Sequence, residues 1–363
     1  MKNYQSFWNC LSKQAFLEKN SLGRVSLDRD YPFFNSSDNI YFLDKNKIIQ
    51  SKAYRRIGDK TQVFSDEYNN IHIRNRLIHT SEAVAIGIMI ARILGLNQSL
   101  VESILLVHDI GHTPFGHLGE NRISLISGKK FKHSVMSVVI AQKVERSGAG
   151  MNLSFETLEG GLYHSREDDN LEIKEKYPLE YGVGMLADKI SYVFSDLNDA
   201  LSCGYLTQKE LPDEFFFFGK NQRERISNLI FALVIESCEE NTLSFNKSEA
   251  AIKFKNLRSW SYENFYRKMD RTSLTKKINE VCLFMEGEAP LFGQDYLLPI
   301  ALMTDKEINR IYNWLEKHPD HEKFDFRTLS YYEILRKFPE GHFVDIFNAD
   351  LDPRKFENFK KSY

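Results

Sequence analysis

The stretch Leu106-Val-His-Asp-Ile-Gly-His-Thr-Pro-Phe-Gly-His117 decides how this chain is read. Ahead of it, from Gln98 onward, apolar residues recur at helical spacing, and Asn97 is placed to cap the first turn. Gly111 and Pro114 end that pattern, one by its backbone freedom, the other by its missing N–H. His108 and Asp109 therefore stand at the end of an apolar helix, with His112 and His117 just past it. Imidazole nitrogen and carboxylate oxygen are donors that divalent metals accept. Six of the ten histidines lie between His72 and His133, so imidazole chemistry is concentrated here.

The flanking segments fit a helical frame. Residues 77–96 predict a strongly apolar helix, 98–109 the next, and 117–127 and 132–146 two more joined by the basic loop Gly128-Lys129-Lys130. A long helix covers 179–201. Earlier, an amphipathic helix runs from Asp44 to near Gly58, and residues 59–75 read as a short extended stretch or hairpin. Residues 148–176 read as polar and irregular, with 167–170 an exposed acidic loop. Helical patches follow at 222–239, 247–256, 260–284 and 305–317, and the phenylalanine run 215–218 reads as a core or interface plug. Few segments alternate as strands, so the class is mainly α. The organisation expected is an N-terminal arm (1–45, packing arm or lid), a metal and catalytic core (46–205), and a mainly helical C-terminal region packed on it (206–363).

Composition narrows the function classes. The formal net charge is −2, so no global basic field points to nucleic acid, and positive charge for a polyanion must be gathered locally. Cys10, Cys203, Cys238 and Cys282 form no Cys-x-x-Cys pair and read as reduced thiols of a cytoplasmic protein. The N-terminus has no signal-type apolar segment. The apolar stretch 83–91 is broken by Arg92 and falls short of the ~20 residues a bilayer needs, so no membrane role is expected.

Antiparallel neighbouring helices would bring His79, near the start of one, to His108 and Asp109 at the end of the next. A fourth metal ligand must come from a distant helix. Asp188 is the candidate, an acid on an otherwise apolar face where an unpaired carboxylate is costly. A lone helix-end histidine is more often a satisfied structural group; the assembly of several is what carries the reading. His117 and Glu120 are three apart and share a helix face, an arrangement that holds an imidazole tautomer for acid–base work. As a bare pair they could equally be a structural hydrogen bond. Arg55, Arg56, Lys60, Arg76 and Lys189 surround these segments. Singly they read as solvated charges, except Arg76 and Lys189, which adjoin His79 and Asp188 and would suit a phosphate chain.

Five stretches together are similar to a known family: Ser51-Lys-Ala-Tyr-Arg-Arg-Ile-Gly-Asp-Lys-Thr-Gln-Val-Phe64, Arg76-Leu-Ile-His-Thr80, His108-Asp-Ile-Gly-His-Thr-Pro-Phe-Gly-His-Leu-Gly-Glu120, Phe131-Lys-His133, and Ala187-Asp-Lys-Ile-Ser-Tyr192 with Asp196-Leu-Asn-Asp-Ala200. Over about residues 40–200 the chain resembles the HD-domain deoxynucleoside triphosphate triphosphohydrolases, which include bacterial dGTPases. The resemblance implies an HD-domain helical bundle with additional C-terminal helices. It implies a divalent metal (Mn, Mg or Fe) on His79, His108, Asp109 and Asp188, and hydrolysis of dGTP or several dNTPs to deoxynucleoside and triphosphate. It implies that His117 and Glu120 act at the α-phosphate with His133 in support. Arg76, His112, Lys189 and Tyr192 would hold the triphosphate, and Gln62 and Asp196 would read the sugar 3′-hydroxyl. It also implies a homo-oligomer and leaves room for a nucleotide or single-stranded DNA effector. Departures are the helix start Asp44-Lys-Asn-Lys47, the lysine in Asp188-Lys189, and the absence of matched motifs after residue 200. Two alternatives stay open: an HD phosphohydrolase of a monophosphate or signalling nucleotide, and a non-catalytic nucleotide- or DNA-binding HD protein.

Overall fold

The computed structural model describes residues 7–26, 39–64, 72–165, 176–318 and 323–358. Among the described residues there is no β-strand; one bridge pairs Thr61 with Asn75, where an extended stretch or hairpin is expected. The α-helices are α1 Ile40–Ile49, α2 Lys52–Arg56, α3 Arg76–Leu94, α4 Gln98–Val107, α5 His117–Ser127, α6 His133–Val139, α7 Phe155–Tyr163, α8 Leu179–Ser202, α9 Asp213–Phe217, α10 Gln222–Glu239, α11 Glu249–Asn264, α12 Thr272–Glu288, α13 Leu297–Leu302, α14 Asp305–Lys317 and α15 Ser330–Leu335.

Side-chain caps set the boundaries. Asn75 accepts from Ile78 N to start α3, and Gly95, left-handed at φ +81°, ends it. Asn97 accepts from Leu100 N and starts α4, as expected. Ser51 accepts from Tyr54 N and starts α2 afresh, so the single helix expected up to Gly58 is two.

α3 packs along α4 and α8, with α10 behind it; α7 and α1 cover the other side of α4. One apolar core joins α3, α4, α8, α10 and α11, and a second gathers residues of α5–α7 with α12–α15. By length and apolarity α3 could cross a membrane, contrary to the expectation that no segment is long enough. Here it is a bundle helix with Ala83, Ile86, Ile90 and Leu94 buried.

Several expectations are corrected. Residues 155–163, read as irregular, form α7. Its Gly160 and Gly161 weaken the helical signal but permit the packing: a Cβ would stand 2.5 Å from Ile104 Cδ1 at Gly160 and 2.7 Å from Val107 Cγ1 at Gly161. The patch 260–284 is two helices, α11 running to Asn264 and α12 starting at Thr272. The helix expected over 132–146 is α6 followed by a π-helical turn. Phe215 and Phe218 are core while Phe216 and Phe217 are exposed, which halves the plug. The acidic loop 167–170 lies outside the described residues. Cys10 and Cys238 form a disulfide, so the reading of all four cysteines as reduced is corrected for this pair. Their separation of 228 residues leaves no spacing cue in the sequence. Cys203 and Cys282 are free.

Candidate metal and catalytic centre

Helix ends converge to build the site. His79 stands in the first turn of α3, His108 caps the C-terminus of α4, His117 and His133 begin α5 and α6, and Asp188 projects from the middle of α8. The antiparallel crossing expected of α3 and α4 brings the His79 and His108 rings to 5.6 Å between centroids. Gly111 lets the loop after α4 lie on α6: a Cβ there would stand 2.2 Å from Ser137 N and 2.3 Å from His133 O. Ser137 ties the loop down, accepting from Gly111 N at 2.9 Å and donating to His108 O at 2.7 Å.

His79, His108 and Asp109 present ligand atoms close enough to share one ion. Asp188 Oδ1 lies 3.1 Å from His79 Nε2 and 3.7 Å from His108 Nε2. His108 Nδ1 lies 2.5 Å from Leu105 O, which fixes that nitrogen as donor and turns Nε2 into the site. Nε2 is buried and lacks a hydrogen bond, though Asp109 Oδ1 is 3.3 Å away. An orphaned imidazole nitrogen facing two carboxylates and a second imidazole fits a divalent cation. Burial raises both carboxyl pKa values, but their neighbours win. His108, His112 and Arg76 hold Asp109 well below the usual range, and Lys189, His108 and His79 do so for Asp188. Both are therefore available as anionic ligands.

A second cluster adjoins the first. Glu120, buried, lies 2.7 Å from His112 Nδ1, 3.2 Å from His117 Nδ1 and 3.1 Å from His133 Nδ1 through its Oε1. Burial raises its pKa, but the three imidazoles, His133 foremost, hold it well below normal. His117 is the exposed member, with 63% of its side chain open. His112 is enclosed; its Nε2 is 3.0 Å from Asp109 Oδ1, so one imidazole joins both clusters. Burial, then Arg76 and His133, push its pKa down to about 3, and it is neutral at physiological pH.

The other expected residues fall around this centre. Arg76 Nη1 donates to Asp109 at 3.1 Å, and Lys189 Nζ lies 3.2 Å from Asp188 and over the Tyr192 ring. Arg56, Lys60 and Arg76 are buried, unlike the solvated charges read for Arg56 and Lys60; Arg55 is exposed. Gln62 Oε1 and Asp196 Oδ1 are each buried without a partner, and Asp196 Oδ2 accepts from Tyr266 at 2.7 Å. Burial pushes the Asp196 carboxyl up to about 7.

Two residues here escaped the sequence reading. His164, at the end of α7, puts Nε2 3.2 Å from His133 Nε2 and its ring 4.8 Å from that of His108. It lies in the segment read as irregular, where no spacing marks it. Tyr266 belongs to the part after residue 200, where no motif was matched.

The HD domain family matches residues 76–192, the span from Arg76 to Tyr192 that holds every proposed metal ligand. A relative from Clostridium perfringens is 34% identical over 262 residues, covering 70% of this chain and 74% of the relative. One from Caldanaerobacter subterraneus subsp. tengcongensis is 35% identical over 281 residues, covering 72% and 80%. Both are described as deoxyguanosinetriphosphate triphosphohydrolase-like proteins. The chain belongs to this family. A Clostridium tetani member is 35% identical over 233 residues, 63% of this chain and 66% of the relative. In this HD-domain triphosphohydrolase-like chain, the helical class expected from the sequence is the class observed.

Proposed function

We propose that this chain is a metal-dependent phosphohydrolase that acts on deoxynucleoside triphosphates at the α-phosphorus, releasing deoxynucleoside and inorganic triphosphate. The observation that carries the proposal is the His112 bridge. It sets a metal-ligand cluster and an acid–base cluster side by side, 3.0 Å and 2.7 Å from one ring. Hydrolysis of a phosphate ester is accelerated by both functions acting at one phosphorus.

His79, His108, Asp109 and Asp188 would hold the ion, which supplies Lewis acidity for phosphoryl chemistry. His117, exposed and beside Glu120, is placed to exchange a proton with a substrate at its Nε2, while Glu120 holds Nδ1. Glu120 also meets His112 and His133, so the acid–base pair is a shared carboxylate with three rings, His164 standing behind His133. Arg76 and Lys189 already neutralise ligand carboxylates and are proposed, with Tyr192, to face the triphosphate. The unpartnered Gln62 Oε1 and Asp196 Oδ1 support a reader of the 3′-hydroxyl, since a buried polar atom without a hydrogen-bond partner is costly.

Incubation with each dNTP, its 2′,3′-dideoxy analogue and a divalent metal tests the reading by product analysis. Triphosphate from dNTPs, and far less from dideoxy analogues, is expected. Pyrophosphate or orthophosphate as the first product would favour a different phosphohydrolase, and no turnover would favour a binding protein.

A further inference from the structure

Asp305 is the first residue of α14, more than 100 residues beyond the last of the proposed ligand and catalytic side chains, Asp188. A capping box fixes its helix end: Glu307 N donates to Thr304 Oγ1, and Thr304 N donates to the Glu307 carboxylate at 2.8 Å. The Asp305 carboxylate is buried and divides its two oxygens between two loops. Oδ1 accepts from Phe115 N at 2.7 Å, and Oδ2 accepts from Thr61 N at 2.8 Å and from the Thr61 hydroxyl.

Both loops lead directly into the candidate site. Thr61 precedes Gln62. Phe115 lies two residues before His117 and three after His112. The second loop is strained where Asp305 holds it: Phe115 has φ +55°, which a bulky residue rarely adopts, and Gly116 follows at φ +57°. A Cβ on Gly116 would stand 2.7 Å from Arg76 Nη2. Lys60 adds a second tie from the same region, its buried ammonium donating to His112 O and, at 3.2 Å, to Ala301 O of α13. Arg76 closes the circuit, with N donating to Lys60 O at 3.0 Å, Nε to Thr61 O at 3.2 Å and Nη1 to Asp109 at 3.1 Å.

Other buried carboxylates also tie segments together. Asp44 holds Ser154 and Arg24, and Glu236 holds Ser244 and Ser248. None of those partners adjoins a proposed site residue. Asp305 differs because both of its loops do. We infer that Asp305 is a positioning residue, which clamps the Gln62 loop to the His112–His117 loop and so sets the sugar-reading and proton-exchanging groups at a fixed separation. The inference rests on the proposed dNTP reaction for its catalytic consequence, and on geometry alone for the clamp.

Asp305→Asn keeps size but turns one carboxylate oxygen into an NH2 donor facing a donor, so one loop is released; Asp305→Ala releases both. Thr61→Val removes only the hydroxyl tie and serves if the Asp305 variants fold poorly. Hydrogen exchange in peptides covering residues 59–64 and 112–117 reads the clamp without any substrate. Exchange about tenfold faster or more is expected in Asp305→Asn, with metal content at the wild-type level and a cooperative melt. Steady-state assays should then show kcat down about tenfold or more and narrowed discrimination between dNTP and dideoxy analogue. Asp305→Asn should cost under about twofold more when added to His117→Ala, because one acts through the other. Unchanged exchange in the variants overturns the inference. So does faster exchange with kcat and discrimination at wild-type values, which would make Asp305 structural only. If the wild type hydrolyses no dNTP, the dNTP reading fails by itself and the exchange result still decides the clamp.

Discussion

At the scale of single residues, what matters is which groups touch. Asp109 lies within hydrogen-bonding reach of Arg76 and His112 and beside His108, and offers an anionic oxygen to the proposed ion. Asp109→Ala is expected to lose bound metal and turnover together while far-UV circular dichroism stays helical; elemental analysis showing full metal occupancy would contradict the ligand set. His117 is exposed and makes few ties, so its loss should spare binding. His117→Ala should lower kcat by about 10²-fold or more with KM nearly unchanged, the scale of general acid–base catalysis. Asp196 gives a pH prediction. Its folded pKa is raised from 3.8 to about 7 by burial, so between those values the folded state keeps a proton the unfolded chain has lost. Its contribution to stability therefore falls as pH rises through that window and is level above it. Asp196→Asn does not titrate, and its melting temperature should fall less than that of wild type between about pH 5 and about pH 7. Parallel curves would mean that the carboxyl is not held protonated. Resemblance alone singled out His133 and Asp196, whereas His79, His108, Asp109, His117, Glu120 and Asp188 were legible as candidates because helix periodicity set their faces and ends. His164 and Tyr266 were not, since what places them is tertiary packing of α7 and of the stretch after α11.

At the scale of elements, glycine and serine contacts matter more than helix propensity. Gly111 lets the post-α4 loop lie on α6, and its Cβ space is filled by backbone of Ser137 and His133 that cannot yield cheaply. Gly111→Ala is expected to destabilise by about 3 kcal/mol, the upper range of overpacking. It should also disturb His108 and His133 together, read as loss of metal affinity in whatever fraction folds. A melt within about 0.5 kcal/mol of wild type would show that the loop has room to move. The apolar runs of α3, α4 and α8 announced themselves in the sequence. α7 did not, because the glycines that let it approach α4 also dilute its periodic signal. α13 and α15 are six residues each, too short for periodicity to register.

At the scale of the whole molecule, the C-terminal half reaches the candidate site. α14 supplies Asp305 beneath two site loops, α13 receives Lys60, and Tyr266 reaches Asp196. None of this shows in the sequence, since the partners are separated by up to 244 residues and no local pattern marks them. In the proposed reaction, water attacks the α-phosphorus beside the joined clusters. Hydrolysis of a dNTP in ¹⁸O-water with mass analysis of both products tests it most directly. One ¹⁸O in the released triphosphate and none in the deoxynucleoside are expected. Label in the deoxynucleoside hydroxyl, or release of pyrophosphate or orthophosphate in place of triphosphate, would contradict it.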